Sequence, residues 1–423
     1  MPAADPLELL LQGRYPDPET GEPLAASART IAIEPSLDGA EAELVDRLDI
    51  GRRFVVVSDV NTHAALGHRV HRALGGQSIV LPDGVVTDEP TIAKVAAAVD
   101  PGVDAVVAVG SGTINDICKM VALGRDCPEV VFATAPSMNG YTSLSASLSE
   151  HGFKRSVRAI TPTAAFFDLS VLAAAPRRLL RSGLGDSLAR PTAQADWLLA
   201  HLLLDRPYRE APFHMLAGDE AALLAEPQAL LAGDTAAMRH LVRLLVLSGF
   251  GMTICGGSFP ASQAEHLISH YVELKGQGLP HTFHGEQIAV AAVAMARVQG
   301  RILEREAPHL RPSTLTREQV YAHFGPEQGE ACWHEVEPKL LGEDHVEAIN
   351  ARLAREWSAI RDRIARVTLG APRMIEILDA AGVATMPEQL GWPSGLLDEA
   401  LAHAWMMRNR YTFLDFVAQA IQT

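Results

Sequence analysis

The chain has few of the features that mark nucleic-acid-binding proteins. Only five of its 423 residues are lysine, 36 residues are Lys or Arg against 51 Asp or Glu, and the formal net charge is −15. Nucleic acids and anionic membrane surfaces attract clustered positive charge, so this composition argues against both as partners. Aromatic residues make up 5% of the chain, too few for a platform on which single-stranded bases would stack.

Cysteine is also scarce, and its spacing matches neither a disulfide framework nor a thiolate zinc site. Cys118, Cys127, Cys255 and Cys332 are scattered and form no CxxC pair, which favours reduced thiols and a cytoplasmic protein. The N-terminus has no cationic segment followed by a long apolar core, and no stretch reaches 18 uninterrupted apolar residues. We therefore expect neither a signal peptide nor membrane insertion.

Hydrophobic residues, by contrast, are abundant at 48%, and 423 residues suffice for two domains. Between residues 29 and 170, near-continuous Val/Ile runs alternate with helix-like stretches, a pattern typical of a parallel sheet covered on both faces. After about residue 170 amphipathic helix patterns follow one another. The sequence predicts an N-terminal extension (1–28), an α/β dinucleotide-binding domain with a Rossmann-like parallel sheet (29–170) and an all-α domain (171–423). The predicted strands are 29–33, 54–58, 78–81, 105–109 and 130–134, with 153–161 and 164–168 closing the domain.

A glycine-containing turn, Gly110-Ser-Gly-Thr-Ile-Asn-Asp116, follows the predicted strand 105–109 and opens a helix. Free amides at a helix start bind phosphate, and glycine lets the backbone come close to it. Asn115 stands where the dinucleotide fingerprint GxGxxG has its third glycine. The turn therefore predicts a phosphate site, but it also fits an ordinary strand-to-helix connection.

Two further loops follow predicted strands. The segment 134–143 is rich in small hydroxyl residues, and Asp59 ends the strand 54–58. Open α/β sheets bind ligands at the carboxyl ends of their strands, so both loops are candidates for cofactor binding. The structural alternatives are a Ser/Thr-rich turn for the first and a helix cap for Asp59.

The helical half carries candidate metal ligands. Gly183-Leu-Gly-Asp186 places two glycines in a helical stretch, which marks a close approach or a break. His266 and His270 lie four residues apart, hence on one helix face, and His284 precedes a strongly apolar helix. One carboxylate and two imidazoles with an open position would suit a catalytic Zn²⁺, Ni²⁺ or Fe²⁺. Taken singly, each histidine also fits a hydrogen-bonded packing role.

Five motifs in order, GSGTINDICK, TAPSMNGYTS, SGLGD, EHLISH and FHGEQ, resemble the iron-containing alcohol dehydrogenase and dehydroquinate synthase superfamily. Within it, the wording TAPSM-x-GYTS and SGLGDSLAR is most similar to the bacterial sn-glycerol-1-phosphate dehydrogenases, and the resemblance runs from about residue 29 to 305. It implies a dehydroquinate synthase-like fold. It also implies a metal-dependent, NAD(P)H-linked, reversible reduction of dihydroxyacetone phosphate to sn-glycerol 1-phosphate, a reaction of phospholipid metabolism.

The same resemblance assigns roles to residues of this sequence. It implies one divalent metal on Asp186, His266 and His284, with Zn²⁺ first and Ni²⁺ or Fe²⁺ as alternatives. It places His270 and Lys154 at the substrate, His270 or water relaying a proton and Lys154 near the phosphate. The implied cofactor residues, for NAD(H) or NADP(H), are Asp59, Gly110, Gly112, Thr113, Ile114, Asn115, Asp116, Thr134, Ser137 and Ser143. The carboxylate of Asp59 favours NAD, because it would repel a 2′-phosphate.

One position departs from the family pattern. Asn139 stands where the family has an aspartate that contacts substrate, and it keeps one acceptor oxygen but loses the charge. The sequence therefore determines the class of reaction more closely than it determines the substrate. The alternatives are another polyol or aldehyde dehydrogenase, a sugar-phosphate cyclase on the same scaffold, or a non-catalytic nucleotide-binding relative. We expect a small phosphorylated substrate as partner and a homodimer or larger assembly.

Overall fold

The hydrophobic runs of the N-terminal half form strands of a six-stranded parallel sheet. The computed structural model describes residues 5–150 and 153–421. The described strands are β1 (Tyr15–Pro16), β2 (Pro23–Leu24), β3 (Thr30–Glu34), β4 (Phe54–Asp59), β5 (Gln77–Leu81), β6 (Ala105–Gly110), β7 (Glu129–Ala133), β8 (Ser145–Glu150), β9 (Phe153–Arg158) and β10 (Ala164–Asp168). The large sheet has the order β3-β10-β7-β6-β4-β5, and its neighbouring strands are parallel. The predicted parallel sheet is confirmed.

The sheet is buried because its central strands are apolar on both faces. Every residue of β6, β7 and β10 is buried. Phe132 and Phe166 pack with ring centroids 4.9 Å apart, inside a core that also contains Phe54 and Val107. Strands with continuous Val, Ala and Phe are the kind that parallel sheets require, since helices cover both faces.

The predicted strand 153–161 is present from Phe153 to Arg158, but it does not belong to the parallel sheet. Residues Phe153–Arg158 pair antiparallel with Ser145–Glu150 in a separate two-stranded sheet, and β10 alone joins β3 and β7. The described side chains of β9 from Arg155 onward are mostly exposed. A strand of that composition suits a solvated hairpin rather than the interior of a parallel sheet.

The sheet order has a switch point beside β4. From β4 the chain passes to β5 on one side and then returns to β6 on the other side. In open α/β sheets, ligands bind outside the carboxyl ends of the strands at such a point. Asp59 ends β4 and Gly110 ends β6, so the topology places both predicted cofactor loops at this edge.

From Leu169 onward the described elements are helices, as predicted, apart from an isolated bridge between Leu310 and Ala420. One of these helical stretches is interrupted, because Pro227 starts a new helix after Glu226. Residues His63–Gly67 form a π-helical turn, and 337–339, 387–390 and 404–407 form 3₁₀ turns. The α-helices are α1 (Pro6–Leu11), α2 (Glu41–Asp46), α3 (Val60–Thr62), α4 (His68–Leu74), α5 (Glu89–Ala98), α6 (Gly112–Arg125), α7 (Leu169–Ala173), α8 (Arg177–Ser187), α9 (Arg190–Leu204), α10 (Ala211–His214), α11 (Ala217–Ala225), α12 (Pro227–Leu231), α13 (Thr235–Ile254), α14 (Ala264–Lys275), α15 (His284–Leu303), α16 (Arg317–Phe324), α17 (Pro326–Val336), α18 (Glu343–Ala365), α19 (Ala371–Ala380), α20 (Leu396–His403) and α21 (Phe413–Gln419).

The chain forms two compact units. The first comprises Met1–Ser187 and Arg209–Ser258, and the second comprises Leu188–Tyr208 and Phe259–Thr423. The first unit therefore contains the sheet together with α8 and α10–α13, and the second is helical. The predicted boundary at residue 170 lies just after the last strand. The two units do not separate there, because the helices that follow the last strand are shared between them.

Helix α13 has the length and composition of a membrane-crossing helix, with a mean hydropathy of 1.2. Of its most apolar stretch, 67% is buried inside the protein. Leu241, Leu245 and Phe250 on this helix are among the fully buried side chains. This burial is typical of the core helix of a soluble protein.

Candidate active site

A sharp turn joins β6 to α6 at the carboxyl edge of the sheet. Ser111 occupies the N-cap position of α6, and no side-chain hydrogen bond caps the helix there. Gly110 permits the turn, because a Cβ at this position would lie 2.5 Å from the Ile114 Cβ. Amides at the start of a 14-residue helix without a side-chain cap can bind a phosphate group. The geometry thus has the features that the sequence predicted for a pyrophosphate site.

Several of the predicted cofactor residues also have structural contacts. Ile114 and Asn115 are buried, and the Asn115 Nδ2 donates to Asp116 Oδ1 at 3.2 Å. The backbone N–H of Ser147 donates to Asp116 Oδ2 at 2.9 Å. The carbonyl of Thr113 accepts from the Thr87 hydroxyl at 3.4 Å. Cofactor binding by these four predicted residues stays a prediction.

The loop that follows β7 is tied to the first turn and to α6. Thr134 donates its backbone N–H to the Gly110 carbonyl at 3.0 Å. The Nζ of Lys119 on α6 is fully buried and donates to the carbonyls of Gly140 at 2.6 Å, Ser143 at 2.9 Å and Ser145 at 3.3 Å. Burial lowers the pKa of Lys119. This lysine fixes the shape of the loop.

Ser143 and Asp59 have defined structural roles. The Ser143 hydroxyl donates to the carbonyls of Gly140 at 3.0 Å and Ser145 at 3.1 Å within the loop. Asp59 Oδ1 accepts from the backbone N–H of Thr62 at 2.8 Å and caps the short helix α3. The helix-cap interpretation of Asp59 is therefore confirmed, and its preference for NAD stays a prediction.

Helix α8 presses against the same loop. A Cβ at Gly183 would overlap the carbonyl oxygen of Pro136, so the glycine marks a close approach and not a break. Beside it, the Ser182 hydroxyl donates to the Ser137 carbonyl at 3.1 Å. One turn further, Asp186 Oδ2 accepts from the backbone N–H of Asn139 at 2.9 Å. The loop thereby orients the predicted metal carboxylate.

The predicted metal histidines lie on the neighbouring helices α14 and α15. His266 is in the first turn of α14, and His284 is the first residue of α15. Ser269 Oγ donates to Gln287 Oε1 at 2.6 Å and links the two helices. The rings of His266 and His284 have centroids 5.1 Å apart. The helix pair thus brings together two imidazoles that are 18 residues apart in sequence.

Asp186, His266 and His284 form a group of potential metal ligands, with one ligand atom from each lying within 4.8 Å of the others. Ligand atoms on one tetrahedral Zn²⁺ lie about 3.4 Å apart, given bond lengths of about 2.1 Å. Small side-chain shifts would therefore close the set around an ion. A carboxylate with two imidazoles is a donor set that Zn²⁺, Fe²⁺ and Ni²⁺ accept, so the residues present fit a divalent metal.

The surroundings of His266 favour the protonation state that a metal needs. Its pKa is lowered to about 3 by burial and by the positive charges of Arg408 and Arg410, so the imidazole is neutral at physiological pH. Its Nδ1 lies 2.9 Å from Glu265 Oε1, a hydrogen bond that the Nδ1–H tautomer donates. With Nδ1 held by a carboxylate, Nε2 is the nitrogen that can bind a metal, an arrangement typical of metal-ligating histidines.

Glu265 is itself well held. It is fully buried, and its Oε1 also accepts from the backbone N–H of Gln263 at 2.7 Å. Its Oε2 accepts from the Thr192 hydroxyl at 3.4 Å. Sequence reasoning missed Glu265, although its position directly before a predicted metal histidine was a signal that could have pointed to it.

The predicted substrate residues are placed less fully. His270 lies one turn after His266 on α14 and is half-buried. Asn139 lies next to Asp186 through a backbone hydrogen bond that any residue could make. The backbone of Lys154 lies in β9, and its side chain lies outside the described residues. The substrate roles of all three stay predictions.

The chain is similar to known proteins over most of its length. Residues 32–176 match the family model described as iron-containing alcohol dehydrogenase. The chain is 32% identical over 410 residues to the glycerol-1-phosphate dehydrogenase [NAD(P)+] of Geobacillus stearothermophilus, covering 92% of this chain and 94% of that protein. The enzyme of the same description from Thermococcus kodakarensis is 30% identical over 283 residues, covering 66% of this chain and 79% of that protein.

Solved structures with the same fold are more distant in sequence. A probable glycerol dehydrogenase from Sinorhizobium meliloti 1021 superposes with a TM-score of 0.53 at 19% identity, covering 84% of this chain and 97% of that one. Sulfoacetaldehyde reductase from Bifidobacterium kashiwanohense, solved with NAD+, gives a TM-score of 0.59 at 15% identity, covering 93% of this chain and 96% of that one. These likenesses establish the fold.

Proposed function

Given that this chain belongs to the NAD(P)-dependent glycerol-1-phosphate dehydrogenase family of oxidoreductases, we propose that it catalyses the reversible reduction of dihydroxyacetone phosphate to sn-glycerol 1-phosphate. The observation that carries the proposal is the grouping of Asp186, His266 and His284 within 4.8 Å. A protein that only senses a nucleotide has no need of such a ligand set, whereas a carbonyl reductase of this family does.

A divalent cation bound by these three residues supplies Lewis acidity toward a carbonyl oxygen, and a bound nicotinamide supplies the hydride. The chain provides the orientation. Glu265 holds the proton on His266 Nδ1, and the Asn139 amide holds Asp186 Oδ2. His270, one turn along α14 from His266, is the group we assign to pass a proton to the product oxygen, directly or through water.

The proposal also covers the metal, the cellular location, the cofactor preference and the assembly of the enzyme. We propose Zn²⁺ as the metal, with Ni²⁺ and Fe²⁺ as alternatives that the same donor set accepts. The four cysteines are free, which supports the cytoplasmic location that we propose. We also propose that the enzyme uses NAD in preference to NADP because of Asp59, and that it works as a homodimer or larger assembly in phospholipid metabolism.

The test compares a phosphorylated and an unphosphorylated substrate. Metal-loaded enzyme should oxidise NADH with dihydroxyacetone phosphate, followed as the fall in absorbance, and should be far slower with dihydroxyacetone. Activity on dihydroxyacetone alone would assign the protein to polyol reduction. Carbonyl consumption without NADH oxidation would favour a cyclase, and no turnover on any carbonyl would favour a sensor.

A further inference from the structure

Gln287 bonds to two of the segments that meet at the metal histidines. Its Oε1 accepts from the Ser269 hydroxyl of α14 at 2.6 Å, and its Nε2 donates to the Thr282 hydroxyl at 2.8 Å. Thr282 lies in residues 276–283, which connect α14 to α15 and end directly before His284. A single side chain on α15 therefore fixes both the preceding helix and the connection between the two helices.

The two ends of the Ser269–Gln287 bond have the same position relative to the metal ligands. Ser269 follows His266 by three residues within α14. Gln287 follows His284 by three residues within α15. Residues three apart lie on the same face of a helix. The bond therefore joins the two helix faces that carry the imidazoles, whose ring centroids are 5.1 Å apart.

The bond is made where water cannot replace it. Ser269 is fully buried and Gln287 is 7% exposed. A buried hydroxyl or amide that loses its partner keeps the full cost of desolvation, whereas an exposed one recovers a hydrogen bond to water. Sliding α14 along α15 would break this bond and leave buried polar atoms on both helices unpaired. Gln287 thus favours one register of the two helices, and that register fixes the separation of the two imidazoles.

The bond to Thr282 acts on His284 through the backbone. His284 is the first residue of α15, and the terminal turns of helices fray where their backbone groups are not held. Glu286 Oε2 accepts from the backbone N–H of Phe283 at 2.8 Å, and Gln287 holds Thr282. The two residues that precede His284 are therefore both tied to the first turn of α15, which restricts the backbone from which this imidazole projects.

We propose that Gln287 is a positioning residue for the metal, which holds His266 and His284 at the separation that one divalent cation requires. It acts through Ser269 and Thr282, without itself touching the cation. The inference rests on the proposed function for the identity of this metal site. Two imidazoles that are already correctly spaced bind a cation more tightly than two that must first become ordered, because less conformational entropy is lost on binding.

The first experiment measures the affinity for Zn²⁺ by competition with a chromophoric chelator. Gln287→Met keeps the length of the side chain and removes both hydrogen bonds, so the affinity should fall about 10-fold. Gln419→Met is the matched control, since Gln419 is also 7% exposed and its Oε1 accepts from the Tyr411 hydroxyl at 3.1 Å. The control should keep the wild-type affinity, and urea unfolding of the metal-free proteins should show that both variants fold. Binding of Zn²⁺ by Gln287→Met as tight as by Gln419→Met would overturn the proposal.

Two smaller changes separate the two bonds of Gln287. Ser269→Ala removes only the bond to α14, and Thr282→Val removes only the bond to the connection, so each should lower the affinity by less than Gln287→Met does. The double variant Ser269→Ala/Gln287→Met should bind Zn²⁺ as weakly as Gln287→Met alone, because both changes remove the same bond. A double variant whose loss equals the product of the two single losses would mean that the residues act independently, contrary to the proposal.

Co²⁺ in place of Zn²⁺ reports the ligand geometry without any dependence on activity. Its visible absorption bands should shift or weaken in Gln287→Met, since the ligands are no longer held at one separation, and should match wild type in Gln419→Met. Identical Co²⁺ spectra in wild type and Gln287→Met would contradict a positioning role.

The binding measurements also separate this inference from the proposed function. A wild type that reduces dihydroxyacetone phosphate, together with an unchanged metal affinity in Gln287→Met, would overturn the inference and leave the function standing. A wild type that binds one Zn²⁺ per chain with an affinity that depends on Gln287, but reduces no dihydroxyacetone phosphate, would do the reverse.

Discussion

The two units use their cations in different ways. In the sheet unit, Lys119 gives its donors to three loop carbonyls and is fully enclosed. In the helical unit, Arg408 is half-exposed and gives one described hydrogen bond to a serine hydroxyl. A lysine whose donors are all used inside the protein shapes a loop, whereas Arg408 keeps part of its side chain accessible to solvent.

The first and largest predicted effect comes from replacing Lys119, which tests whether this lysine shapes the loop. Lys119→Met leaves loop acceptors without their donor, so it should destabilise the protein by about 3 kcal/mol, whereas Arg408→Gln should cost less than about 1 kcal/mol. Urea unfolding measures both. Lys94→Met, at an exposed position on α5, is the control for loss of a lysine. A Lys119→Met protein as stable as the Lys94→Met protein would show that the lysine does not organise the loop.

A second change concerns the metal ligands of the helical unit. Glu265→Gln removes the charge that holds His266 Nδ1–H, so the affinity for Zn²⁺ should fall about 10- to 100-fold. Competition with a chromophoric chelator measures the affinity. Glu356→Gln, at an exposed position on α18, should bind Zn²⁺ as wild type does. If both variants bind equally, Glu265 has only a packing role.

A third change tests the close approach of α8 to the loop. Gly183→Ala places a methyl group against the Pro136 carbonyl and should destabilise the protein by about 2 kcal/mol, despite the higher helix propensity of alanine. Gly124→Ala on α6 meets nothing within 4 Å and should be stabilising by up to about 1 kcal/mol. Thermal unfolding of the pair compares them. A stabilised Gly183→Ala protein would contradict the packing described here.

A fourth test depends on pH. Glu129 is fully buried, and neither carboxylate oxygen has a hydrogen-bond partner among the described residues. Burial raises its pKa from 4.5 to about 8, with Lys119 opposing the shift. Between pH 4.5 and 8 the Glu129 carboxyl group is protonated in the folded state and ionised in the unfolded state. The free energy of unfolding is therefore highest below pH 4.5 and falls as the pH rises toward 8.

The measurement compares wild type with Glu129→Gln, whose side chain does not ionise. Relative to that variant, wild type should lose about 1 kcal/mol of unfolding free energy per pH unit between pH 5 and 8. Unfolding in urea at pH 5, 6.5 and 8 gives the two curves. Parallel curves would mean that Glu129 titrates at the same pH in both states.

Much of the fold was predictable because its signals are local. Continuous apolar strands, a glycine turn before α6 and capping residues are short-range patterns, and the structure places the sheet strands within a residue or two of the predicted bounds. The pairing of β9 with β8 was not predicted, because the strand pattern of 153–161 does not specify which partner it pairs with.

The site residues that belong to family motifs were predictable from the sequence. Residues that depend on contacts between distant segments were not. Asp186, His266 and His284 were named from ordered motifs, and the structure brings them together. Arg408 contacts a residue 146 positions away, and Lys119 contacts carbonyls, which have no sequence signature. Such contacts depend on how distant segments meet, which a single sequence does not show.

The central claim is that Asp186, His266 and His284 hold a divalent metal that the reaction requires. The most direct test is to strip the enzyme with a chelator, measure its metal content, and follow NADH oxidation with dihydroxyacetone phosphate before and after adding back Zn²⁺, Ni²⁺ or Fe²⁺. We predict loss of activity on stripping, recovery with about one metal per chain, and no recovery in Asp186→Ala. Full activity in the metal-free wild type would contradict the account.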